Sequence, residues 1–186
     1  NLTTKEKNPR EIFDLQNTEK VFFYLLEKKP SFSEKLIIKI HDDLLNNIDV
    51  RKGYRYQDIR VFKSKFKASP GKYVKIDMGL LMKWYHQHKN QLHPLVLCTL
   101  FHQKFEKIHP FFDGNGRTGR MIMNYLLIKN QFPPLIVQKK KRSEYLTALA
   151  QADLADLKEI NPKYYKKLVN YLALEMIGSY WNNFNI

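Results

Sequence analysis

The sequence predicts an all-α domain, a helical bundle with two central helices joined by a glycine-rich loop, plus a small β-hairpin. Three observations carry this reading. Apolar residues recur at three- and four-residue spacings through most of the 186 residues. One segment, residues 59–76, alternates apolar and polar instead, around Ser69-Pro70-Gly71. Three of the seven glycines, Gly114, Gly116 and Gly119, fall within six residues between two strongly apolar helical patterns.

Length and composition set the frame. A chain of 186 residues fits one domain with a real core, and 44% hydrophobic residues with 13% aromatics exclude disorder. No run approaches the roughly 18 apolar residues that span a bilayer, and the first ten residues lack a signal-peptide pattern. Cys98, the single cysteine, sits in the apolar run LVLCTLF, which suits a buried thiol in a reducing cytoplasm. The net charge of +14 favours a polyanion: nucleotide, nucleic acid or acidic protein.

Taken in order, residues 17–29 form an amphipathic helix that Asn17 or Thr18 can cap, and residues 33–48 a second, with Leu36, Ile37, Ile40, Leu44, Leu45 and Ile48 on one stripe. The alternation over 59–76 reads as a hairpin, which alone is marginal and so is either packed down or a working flap. Residues 76–90 are helical again. His93-Pro94 then opens a further helix, with Pro at its first position and Leu97, Leu100, Phe101, Phe105 and Ile108 as its stripe. It should stop before Pro110, because the residue preceding proline avoids the α region. Residues 117–130 are apolar almost all round, which marks a helix inside the core. Helices follow at about 142–153 and 162–178, the first after the basic block 139–142, read as a solvated loop.

Residues 109–120, HPFFDGNGRTGR, carry the chemistry. GNGRTG matches the spacing of the dinucleotide fingerprint, but a helix precedes it and no acidic residue occurs from Gly114 through Ser143. It also falls short of a P-loop, since Arg120-Met121 stands where that loop needs Lys and a hydroxyl. What remains is the physics both share: successive backbone N–H groups at a helix start make an anion-binding nest. Arg117 and Arg120 oppose the helix dipole unless an anion sits there, and at i,i+3 spacing they share a face. Asp113 is a hard carboxylate beside the nest, suited to Mg²⁺, which binds through one or two carboxylates plus phosphates and water. His109 is a candidate general base. At least one of Phe111 and Phe112 should anchor the loop in the core. Anion cradle, metal ligand, arginines and base are the parts of phosphoryl or nucleotidyl transfer.

At every defining position the stretch resembles the Fic-domain signature, H-x-F-x-D/E-G-N-G-R-x-x-R. The resemblance extends over residues 17–186 as a Fic-type bundle, with residues 1–16 an N-terminal extension. It implies transfer of AMP from ATP to a Ser, Thr or Tyr hydroxyl of a target protein, with release of pyrophosphate and with Mg²⁺ as cofactor. By that resemblance His109 deprotonates the hydroxyl, Asp113 holds Mg²⁺, and Gly114, Asn115 and Gly116 form the anion hole. Arg117 and Arg120 bind the β- and γ-phosphates, Thr118 and Gly119 complete the phosphate-binding stretch, and Tyr145 stands near the nucleoside unless it only packs a helix. The hairpin at 59–76 resembles the Fic flap, whose edge would bind the target by β-augmentation. Many Fic proteins carry an inhibitory S/T-x-x-x-E-G/N helix, and no Glu here fits that pattern. An upstream segment, a separate inhibitory chain or the absence of such control would each explain this, and the first is expected. Removal of AMP from a modified protein, use of another donor nucleotide, and a basic nucleic-acid-binding module stand as alternatives.

Overall fold

The computed structural model describes residues 8–60 and 67–184, and those residues contain helices and no strand. Seven α-helices follow in order: α1 Pro9–Lys28, α2 Glu34–Leu44, α3 Val74–His88, α4 Pro94–Ile108, α5 Asn115–Lys129, α6 Arg142–Ala152 and α7 Pro162–Phe184. Local chemistry sets their starts. Asn8 caps α1 by accepting from the Arg10 N–H with Pro9 behind it, Ser33 accepts from Leu36 N–H, and His93 precedes Pro94 at the head of α4.

The two central helices lie against each other, and α4 is buried on nearly every side. Around them α5 packs on α2 and α1, while α4 meets α3 and α7, and α6 covers α7. Leu97, Phe101, Phe105 and Ile108 of α4 and Ile122, Leu126 and Leu127 of α5 belong to one buried cluster, so both ends of the glycine loop are anchored in well-packed helices. Cys98 is wholly buried, and burial pushes its thiol up to about 12. No described helix is long and apolar enough to cross a membrane.

Two expectations need correction. The first helix starts at Pro9 rather than near residue 17, because Asn8-Pro9 is the stronger start signal. Asn17 is therefore no cap: it lies mid-helix, and its side-chain amide donates to the carbonyls of Leu44 and Asn46 at 3.2 and 2.7 Å. The hairpin at 59–76 also fails in its second half. Residues 61–66 lie outside the described residues, but Gly71–Tyr73 form a 3₁₀ turn that runs into α3 at Val74. Val74 opens a buried helical stripe with Met78, Leu81, Met82 and Tyr85, and that longer 3.6-residue period overrides a five-residue alternation.

One buried cation bears on stability. Lys104 of α4 is fully covered, donates to Glu159 O at 2.7 Å and Tyr165 Oη at 3.1 Å, and lies against the rings of Trp84 and Tyr165. Burial lowers its pKa to about 8. Between that value and the ordinary lysine value the unfolded chain binds more protons, so this group's contribution to stability rises with pH. Cys98 acts oppositely in the same window, so a difference measurement isolates the lysine. Wild type should gain about 1–2 kcal/mol relative to Lys104→Met between pH 8 and 9.5 in denaturant titrations.

Candidate active site

The glycine loop is shaped by side chains that fasten it from below. Phe111 is wholly buried and stacks on the His41 ring, centroids 3.6 Å apart and planes 5° from parallel, with Tyr54 and Phe105 around it. His41 is buried, which lowers its pKa, while bonds to Asp42 Oδ1 at 3.0 Å and to the Asp113 carbonyl at 3.1 Å raise it. Asn115 closes the loop: its Oδ1 accepts from Phe111 N–H at 2.9 Å and its Nδ2 donates to Phe111 O at 2.8 Å. Its side chain thus bridges both backbone polar groups of Phe111. Its backbone N–H, at the first position of α5, is one of those that can face an anion.

Gly114 sets the geometry at the head of α5. It takes a left-handed φ of 76°, and a Cβ there would lie 2.5 Å from Leu45 Cδ2, so glycine is required on two grounds. As the N-cap it offers no side chain, and α5 has no acidic residue in its first turn. The positive end of the helix dipole therefore lies open, with Arg117 and Arg120 added to it.

A cavity of about 610 Å³ opens at this helix end, lined by His109, Phe112 and Asp113, by Gly114, Asn115 and Gly116, and by Arg117 and Arg120. The expected base, metal ligand, cradle and arginine pair thus converge on one space. The Arg120 guanidinium folds back over the first turn, 3.1 Å from where a Cβ on Gly116 would lie. His109 ends α4 in a left-handed conformation, φ 54°, with Nδ1 3.2 Å from the Glu106 carbonyl. Burial, and then the Arg55 guanidinium, lower its pKa, against a raising bond to Glu106 and the charge of Asp113. The imidazole is accordingly neutral near pH 7, as a general base must be.

Three expected residues sit elsewhere. Thr118 is fully buried, and Gly119 packs so closely on α4 that a Cβ would lie 2.7 Å from Glu106 Oε1. The one-residue steps of a helix turn these two into the α4–α5 seam, away from the cavity. Tyr145 is buried too, its hydroxyl 2.6 Å from His102 Nε2, which matches the packing alternative.

Other residues reach the site without having been expected. Asp14 of α1 pairs with Arg117, and Arg10 pairs with Asp113, whose Oδ2 is also 3.6 Å from Arg117 Nη2. Asp14 stands where an anion would meet Arg117, and Arg10 stands where a cation would meet Asp113. Arg51, Arg60 and Arg142 also line the cavity, so the basic block ending at Arg142 is more than a solvated loop. The i,i+4 spacing of Arg10 and Asp14 is visible in the sequence, but it carries meaning only once α1 begins at Pro9.

The Fic/DOC family profile matches residues 31–127, more than half of the chain and the whole of the glycine loop. The chain belongs to the Fic/DOC family. It is 31% identical over 159 residues to an Aquifex aeolicus protein named "Probable protein adenylyltransferase", covering 86% of this chain and 49% of that one. It is 34% identical over 139 residues to the Drosophila melanogaster "Protein adenylyltransferase Fic", covering 72% of this chain and 27% of that one. The chain thus spans half or less of these curated relatives. Among solved Fic structures, a Fic-domain signaling protein from Bacteroides thetaiotaomicron superposes with a TM-score of 0.78 at 25% identity, covering 91% of this chain and 69% of that one. A Desulfovibrio desulfuricans Fic protein gives 0.78 at 26% identity, over 97% of this chain and 56% of that one.

Proposed function

We propose that the chain is the catalytic domain of a protein adenylyltransferase, moving AMP from ATP to a Ser, Thr or Tyr hydroxyl of a target protein. The single observation that carries this is the convergence of His109, Asp113, the uncapped α5 N-terminus and two arginines on one cavity. Curated relatives in the family bear the name adenylyltransferase.

In this reading the α5 N-terminus and the N–H groups of Asn115 and Gly116 cradle phosphate oxygens, and Arg117 and Arg120 neutralise the tail beyond. The Glu106 carbonyl at 3.2 Å accepts a hydrogen bond from His109 Nδ1–H, which makes Nε2 the basic nitrogen. His109 Nε2 accepts the hydroxyl proton as the target oxygen bonds to the α-phosphorus. The bond from that phosphorus to the bridging oxygen breaks, and pyrophosphate leaves with its charge on the arginines. Asp113 is a lone carboxylate in an open cavity, which fits Mg²⁺ carried on nucleotide phosphates better than a cage built from protein ligands. Bound there, Mg²⁺ would offset phosphate charge during transfer.

The labelling pattern tests the reaction class. With Mg²⁺ and host lysate, adding the chain should add protein label from α-³²P-ATP and none from γ-³²P-ATP beyond what the lysate's own kinases incorporate. Chain-dependent label from the γ position would mean phosphoryl transfer, and chain-dependent label from neither would remove the proposal.

The α1 ion pairs give a second expected result. Asp14 competes with phosphate for Arg117, so Asp14→Asn should tighten Mg·ATP binding several-fold in calorimetry. A partly exposed pair contributes about 0.2–1 kcal/mol, which sets that scale. Weaker binding in Asp14→Asn would show that the pair assists the nucleotide.

A further inference from the structure

Among the described residues Arg55 is the largest fully buried side chain, at 2% exposure, and it stands outside the glycine loop. Its guanidinium makes four hydrogen bonds, all to backbone carbonyls, from two separate parts of the chain. On one side Nε donates to His109 O at 2.7 Å and Nη2 to Ile108 O at 3.1 Å. On the other, Nη1 donates to Gln57 O at 2.7 Å and Nη2 to Ser69 O at 2.5 Å. Its own backbone N–H donates to Pro110 O at 2.9 Å.

Each half of this pattern has a reason. α4 ends at Ile108, so the carbonyls of Ile108 and His109 have no following helical turn to bond them. A cation at this end also meets the negative pole of the helix dipole. The other two carbonyls belong to the chain leaving α2's loop at Gln57 and to the chain returning at Ser69. These stems are tied to each other a second way: Asp58 Oδ1 accepts from Gly71 N–H at 2.7 Å. Gly71 also sits so tightly on Tyr56 that a Cβ would lie 2.3 Å from the Tyr56 carbonyl oxygen. The stems at 55–58 and 69–71 are therefore one clasped unit, and Arg55 bolts that unit to the backbone of His109.

A buried guanidinium bonded only to carbonyls is costly to desolvate, and burial does lower its pKa. A planar fork of donors in fixed directions can serve two sides at once, which a lysine ammonium cannot. His109 meanwhile holds a left-handed backbone, uncommon for a residue with a side chain, and such a conformation persists when surrounding contacts over-determine it. Arg55 supplies those contacts at the His109 carbonyl itself.

We propose that Arg55 is the positioning residue of this active site, fixing the His109 imidazole relative to the clasped stems. This rests on the adenylyl-transfer reading for its catalytic consequence and on geometry alone for its structural one. Arg55 touches neither the cradle nor Arg117 and Arg120, so its loss acts on transfer and spares the nucleotide. A displacement of about an ångström at the base is enough to cost one to two decades of rate.

The test uses the full chain with Arg55→Met and Arg55→Lys, compared by hydrogen exchange, nucleotide binding and label transfer. Both variants should lose protection together in peptides spanning 69–73 and 107–112, whether or not any catalysis is measured. The rate constant for transfer should fall 30- to 100-fold in both, while the Kd for Mg·ATP stays within twofold at one site per chain. Low millimolar guanidinium should restore part of the rate to Arg55→Ala and none to wild type, a rescue that general loss of folding would not show. Unchanged exchange at either peptide, or unchanged transfer, would overturn the proposal, as would parallel losses in binding and rate. Should wild type itself transfer no label, the adenylyl-transfer reading falls, and the paired exchange result alone decides for or against Arg55.

Discussion

His109→Ala should abolish transfer of α-label while leaving Mg·ATP bound within twofold of wild type. The reason is the separation of tasks inside the cavity. His109 lies at the end of α4, and the cradle and arginines lie on α5. Loss of the imidazole removes the proton acceptor and no phosphate contact. A positioned general base contributes about 10²–10⁴-fold, so the remaining rate should be at or below the limit of a gel assay. Single-turnover labelling and calorimetry on the same preparation measure the two halves. Equal losses in both would show that His109 binds the nucleotide instead of serving as the base.

Arg120→Ala should do the opposite, weakening Mg·ATP about 10- to 100-fold, the effect of about 1.5–3 kcal/mol for a hydrogen bond to a charged group. Arg117 is already paired with Asp14 and lies near Asp113, so its removal also releases an internal competitor. Among the described residues no ion pair joins Arg120 to a carboxylate, so its removal releases none. Its charge does act on Glu106, whose carboxyl burial raises to about 7 and Arg120 lowers. Without Arg120 that carboxyl shifts further upward, toward the neutral form. A retained affinity in Arg120→Ala, read by calorimetry, would place the triphosphate tail elsewhere.

The helices were legible because their periods and punctuation are local. His93-Pro94 and the glycine loop place α4 and α5 within a residue or two from sequence alone, and the buried stripe of α4 is the expected one. Where reading failed, a distant or competing signal won. Asn17 looks like a cap by residue type, yet it is used across 27 residues to bind the Leu44 carbonyl. Residues 72–76 alternate for too short a stretch to outweigh the helical stripe that Val74 opens. The same division holds at the site. The stretch from His109 to Arg120 was readable because its members are neighbours in the chain. Asp14, 103 residues from Arg117, and Arg55, 54 residues from His109, became visible only through folding. Thr118 and Gly119 show the converse, since proximity in sequence to a cradle does not fix which face of the helix a residue takes.

If the head of α5 seats a triphosphate, Asp14→Asn titrated with Mg·ATP in a calorimeter should bind one nucleotide per chain, and the same protein carrying Arg120→Ala should bind it at least tenfold more weakly. Absence of heat in both, or equal affinity in both, would mean that the triphosphate does not sit there.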